Sequence, residues 1–74
     1  MDHADVFAEL AGLFESSLRI GGIVEAGSPL GTIRSLDGTV LHKLIAPVTG
    51  QVAILRTFAS VQPGDRLVQL FFPR

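Results

Sequence analysis

The sequence has no cysteine, tryptophan or tyrosine. Without cysteine, no disulfide can staple the fold and no thiolate can hold a metal. Acidic and basic side chains nearly cancel, seven against six, for a net charge of −1. That leaves no basic field for a nucleic acid or an anionic membrane surface, and neither is expected as a partner. Glycine and proline interrupt every apolar stretch before it reaches the roughly 18 residues of a membrane helix. The N-terminus lacks the basic start and apolar run of a secretory signal, so the expected location is the cytoplasm. Charge of either sign is also scarce, at 18% of residues, against about 25% in ordinary globular chains. A surface so poor in charge suits a piece of something larger that is covered by its neighbour.

Groups able to move protons, attack a substrate or hold a metal are few. Histidine occurs at His3 and His42 only, and lysine at Lys43 only. No HExxH motif, phosphate-binding glycine loop or GxSxG elbow is present. His3 stands near Asp2 and Asp5, but adjacent polar residues close to a chain end are ordinarily solvated. His42 lies in TVLHKLI, where alternation points it away from Leu41 and Lys43 and suggests a surface-strand histidine. Glu9, Glu15, Glu25, Asp37 and Asp65 are scattered through turns and alternating runs, and no acid and base pair assembles from them. No catalytic, cofactor-binding or metal-binding residue is assigned in this chain.

What the sequence does have is self-similarity. Residues 6–33, VFAELAGLFESSLRIGGIVEAGSPLGTI, parallel residues 44–70, LIAPVTGQVAILRTFASVQPGDRLVQL. Ala8 matches Ala46 and Gly12 matches Gly50 at an offset of 38. Val24 then matches Val61, Gly27 matches Gly64 and Leu30 matches Leu67 at an offset of 37, with Ile33 and Leu70 alike in kind. Internal repeats of this sort mean that neither unit buries its apolar face alone. Gly27 and Gly64 read as turn glycines between apolar runs, with Pro63 presetting the second turn. Pro29 follows Gly27 instead of preceding it, so the two turns need not be identical. Short runs such as LGTI and LVQLFF between turn signals indicate a small all-β sandwich or barrel.

One segment disputes this reading. ADVFAELAGLFESSL carries apolar residues at helical spacing, with Asp5 placed to cap. Its repeat partner, LIAPVTGQVAIL, contains Pro47 and β-branched residues and cannot form a regular helix. The repeat therefore argues for strands in both. With 74 residues, the chain makes one small domain, 1–74, whose core is rarely worth more than about 3–5 kcal/mol.

Four stretches carry a resemblance: Gly12-Leu13-Phe14, Gly21 to Ile33, Ala46-Pro47-Val48-Thr49-Gly50-Gln51-Val52, and Val61 to Leu67. Together they resemble the barrel-sandwich hybrid of lipoyl and biotinyl domains. They are most similar to the C-terminal domain of the succinylglutamate desuccinylase/aspartoacylase family. The resemblance covers nearly the whole chain, but its motifs are turn motifs that specify fold better than activity. It implies two interleaved four-stranded sheets and a parent enzyme whose separate catalytic domain holds zinc through a His-x-x-Glu motif and a later His. None of those ligands is present here, so no catalytic residue carries over and no cofactor is expected in this chain. Zinc is expected in the missing catalytic domain.

Three functions are compatible with such a module. The first is an accessory domain of a zinc-dependent amidohydrolase acting on N-acyl amino acids. QVAILR supports it, because Val52 and Ile54 would face one way and Ala53 and Leu55 the other; a strand apolar on both faces suits cover by an upstream catalytic domain. Packing of both sets inside a tight barrel would account for the same pattern. The second is a lipoyl or biotinyl carrier, whose modified lysine would sit in the hairpin RSLDGT, residues 34–39. Counting places that position on Asp37 or near Thr39, and neither is lysine. The third is a membrane-fusion adaptor module, which would need a flanking coiled-coil hairpin that is not seen. Self-association stays open.

Overall fold

The computed structural model describes residues 1–56 and 60–73. Eight strands and no helix are found among them: β1 (Asp2–Phe7), β2 (Gly12–Glu15), β3 (Ile23–Val24), β4 (Pro29–Arg34), β5 (Val40–Ile45), β6 (Gly50–Leu55), β7 (Ser60–Val61) and β8 (Arg66–Phe72). The segment with helical spacing forms β1 and β2. Its amide and carbonyl groups bond across to other strands, and this tertiary pairing overrides the local period. The strands make two antiparallel sheets, ordered β1-β8-β6-β3 and β5-β4-β2-β7. The domain is an all-β barrel-sandwich.

The two sheets are images of each other. Exchanging β1, β2, β3 and β4 for β5, β6, β7 and β8 turns one strand order into the other. Each sheet therefore draws two strands from each half of the chain. The buried side chains follow the same exchange. Ala8 and Ala46, Phe14 and Val52, Val24 and Val61, Leu30 and Leu67, and Ile33 and Leu70 are five equivalent pairs in one core. Val68 is buried where its counterpart is Gly31. A Cβ on Gly31 would come within 2.9 Å of the Phe14 ring. The large Phe14 thus uses space that Val68 fills beside the smaller Val52 in the other half.

Matching turns close the units. The Ser28 amide donates to the Glu25 carbonyl and the Asp65 amide to the Gln62 carbonyl, both at 3.0 Å. Gly27 and Gly64 occupy the third turn position with φ of 84° and 92°, the left-handed value that a type II turn requires there. The different proline placements leave the two turns alike in both features.

Two local expectations are corrected. Val52 pairs with Leu70 and Ile54 with Gln69, so Ala53 is a bulge. The extra residue reverses the alternation. Val52 is buried and Leu55 packs against the core, while Ile54 is exposed. His42 lies opposite Ile33, which is fully buried. Its row is that of the core, and the histidine is half-buried at the edge strand β5, where a surface position was expected.

Candidate functional site

The two histidines lie on different sheets. His3 is on β1 opposite Phe71, with a 3.8 Å contact to Asp5, and His42 is on β5. The scattered carboxylates have separate settings. Glu15 pairs with Arg34 at 3.4 Å, and Asp65 with Arg56 at 3.4 Å. Asp65 also accepts the Gln62 amide at 2.8 Å, and Glu25 lies in the first type II turn. Among the described residues, no three of His, Cys, Asp and Glu gather where a metal could be held. A catalytic zinc takes three protein ligands and a water, and the described residues bring no such set together.

The β4–β5 hairpin has its own polar network. The Gly38 amide donates to Ser35 O at 3.0 Å and the Ser35 amide to Thr39 O at 2.9 Å. Asp37 folds back over this tip. Its carboxylate accepts the Ser35 hydroxyl and the Thr39 amide, the latter at 3.0 Å. These bonds, the Ser35 hydroxyl first, favour the ionised form and push the Asp37 carboxyl down to about 2. Leu36 stands 92% exposed beside it. Asp37, one of the two positions that counting gave for a carrier lysine, thus holds an exposed carboxylate bonded within its own turn.

Two surface grooves accompany the sandwich. One lies between the end of β2 and the start of β4, lined by Glu15, Ser16, Ser17 and the stretch 29–32. Its Ser16 hydroxyl is already committed to Leu30 O at 2.6 Å. The other, of about 390 Å³, runs between the edge strands β1 and β5. It is lined by equivalent residues of the two halves: Asp5 and Lys43, Val6 and Leu44, Phe7 and Ile45, Glu9 and Pro47, with His42 in addition. Phe7 and Ile45 are 50% and 61% exposed, each alternating with inward-facing neighbours, Val6 and Ala8 for the first and Leu44 and Ala46 for the second. The equivalence of positions 7 and 45 was legible in the repeat.

No family model matches the chain, and no curated protein does. Among solved structures, a succinylglutamate desuccinylase/aspartoacylase of Rhodobacter sphaeroides is 28% identical, with a TM-score of 0.81 over 90% of this chain and 21% of that one. An ectoine utilization protein of Ruegeria pomeroyi is also 28% identical, with a TM-score of 0.81 over 89% of this chain and 21% of that one. A multi-domain long-chain acyl-CoA carboxylase is similar at 23% identity and a TM-score of 0.73, over 90% of this chain and 7% of that one, which speaks for the fold alone. The architecture is thus that of a barrel-sandwich module found within larger chains. In sequence and fold together, the chain is similar to part of the structures of the succinylglutamate desuccinylase/aspartoacylase family. It spans about a fifth of their length.

Proposed function

We propose that this chain is the non-catalytic C-terminal accessory domain of a zinc-dependent amidohydrolase that cleaves N-acyl amino acids. The observation that carries this reading is the 28% identity and TM-score of 0.81 to a desuccinylase/aspartoacylase over 90% of the chain. Residues 1–74 form one domain in this reading, and the zinc and the acid and base belong to an upstream catalytic domain of the same protein. The domain shapes the mouth of that site or holds the enzyme's assembly, in the cytoplasm. No helix among the described residues is long and apolar enough to cross a membrane.

The gene supplies the first test, because the reading requires a His-x-x-Glu motif and a later His upstream. The decisive one is hydrolysis of N-acetyl and N-succinyl amino acids. The product spanning both domains should turn them over in a zinc-dependent manner, and residues 1–74 alone should leave them intact. Chelator-sensitive turnover by the 74-residue chain would sink the proposal.

The fold shared with the acyl-CoA carboxylase supports a second reading, a carrier-like or adaptor module without the modified lysine. Mass spectrometry after co-expression with a lipoyl or biotinyl ligase separates the two carrier cases. The bare mass is expected, since Asp37 holds the hairpin tip; an adduct on Lys43 would restore a carrier function.

A further inference from the structure

The groove between β1 and β5 combines three features. Its two banks are equivalent positions of the two halves, so its outline is nearly twofold symmetric. Its flanks carry exposed Phe7 and Ile45, apolar groups that gain from leaving water. Its rims differ in charge. The β1 side carries Asp5 and Glu9, and the β5 side carries His42 and Lys43. Glu9 and Lys43 are exposed. Asp5 is held by Gln69 at 2.9 Å and lies 3.8 Å from both Arg66 and His3. Glu9 is thus the acid of that rim with its charge most available to a partner.

We infer that this groove is a self-association surface whose occupant is a second copy of the chain. The argument is one of charge complementarity. Two copies can meet groove to groove through a twofold axis in two ways, and the near-symmetry of the groove makes their shapes almost equivalent. With the axis running along the groove, the Glu9 rim of one copy faces the Lys43 rim of the other, twice over. With the axis running across it, acid faces acid and base faces base, which is strongly disfavoured at an interface. Charge therefore selects one arrangement, isologous and closed, and Phe7 and Ile45 of both copies are buried at its centre. The association needs no catalytic domain, so its test is independent of the proposed function.

Sedimentation equilibrium of the 74-residue chain reads the outcome. The wild type should sediment at twice the 7.9 kDa chain mass. Glu9→Lys and Lys43→Glu, each at an exposed position, should keep the melting temperature. Each should weaken association on the order of tenfold or more, the change that about 1.4 kcal/mol produces. The double variant Glu9→Lys/Lys43→Glu should recover the dimer, because reversing both rims restores the pairing. A wild-type chain that stays at single mass, dimers unaffected by either single reversal, or a double variant that stays monomeric would each overturn the inference.

Discussion

The Gly64 amide donates to the Ala8 carbonyl at 2.8 Å, and the neighbouring Asp65 carbonyl accepts the Ala8 amide at the same distance. The other half repeats the clasp. The Gly27 amide donates to Ala46 O at 2.8 Å, and the Ala46 amide donates to Ser28 O at 2.9 Å. Each clasp joins the turn of one half to the strand exit of the other. Both alanines are buried, at 3% and 2% exposure, and a larger side chain would press into the core. Two of the repeat's identities, Ala8 with Ala46 and Gly27 with Gly64, are thus the two partners of one hydrogen-bonded joint.

Gly27→Val or Gly64→Val forces a β-branched residue to the positive φ of these joints. The cost should exceed about 1 kcal/mol. In a domain of this size that corresponds to melting shifts of about 4–8 °C. Thermal unfolding by circular dichroism checks it, and near-neutral shifts in both variants would contradict the turn assignment.

Leu70 and Ile33 are equivalent and fully buried. Truncating either to alanine should cost about 2–5 kcal/mol, comparable with all that a core of this size provides. Both variants should be largely unfolded near room temperature by the same measurement.

The bulge at Ala53 gives adjacent residues opposite fates. Ile54→Asp should leave the melting temperature nearly unchanged, because Ile54 faces solvent. Leu55→Asp, which drives a carboxylate against the core, should lower it by many degrees or abolish folding. Equal effects would mean that the bulge is misplaced.

Asp37 gives the hairpin a pH dependence with a definite sign. Its folded pKa, about 2, lies below the ordinary 3.8. The stabilisation is therefore present above about pH 4 and is lost as pH falls toward 2. A carbon-detected titration of the Asp37 carboxyl should show the low midpoint, and Ser35→Ala should raise it. An unshifted midpoint in the wild type would refute the network at the tip.

Much of the fold was legible because glycine and alanine identities recorded backbone constraints. Gly12 and Gly50 illustrate this. A Cβ at Gly12 would stand 2.6 Å from the Arg34 carbonyl oxygen, and one at Gly50 2.5 Å from that of Phe71. Arg34 and Phe71 are themselves equivalent positions, so the pattern reports a close approach that occurs twice. Facing was less legible. A bulge changes which side a residue takes without changing its neighbours in sequence, and this misplaced Ile54. Phe7 and Ile45, by contrast, follow the plain alternation, since each stands between inward-facing neighbours, Val6 and Ala8 or Leu44 and Ala46. The proposed role rests on family resemblance, since the chain's own few titratable residues are spread over both sheets.

The strand order also governs how the molecule can assemble. Of the strand pairings among the described residues, only β4 with β5 joins neighbours in sequence, and that hairpin straddles the boundary between the halves. Every other ladder requires closure of a longer loop, which is entropically unfavourable before its contacts form. The search for the native state should therefore start at the joint and proceed outward, ending when β1 finds β8. Cleaving the backbone at the hairpin tip would remove the one local step. The two pieces would then have to find each other as separate molecules, at a rate set by their concentration.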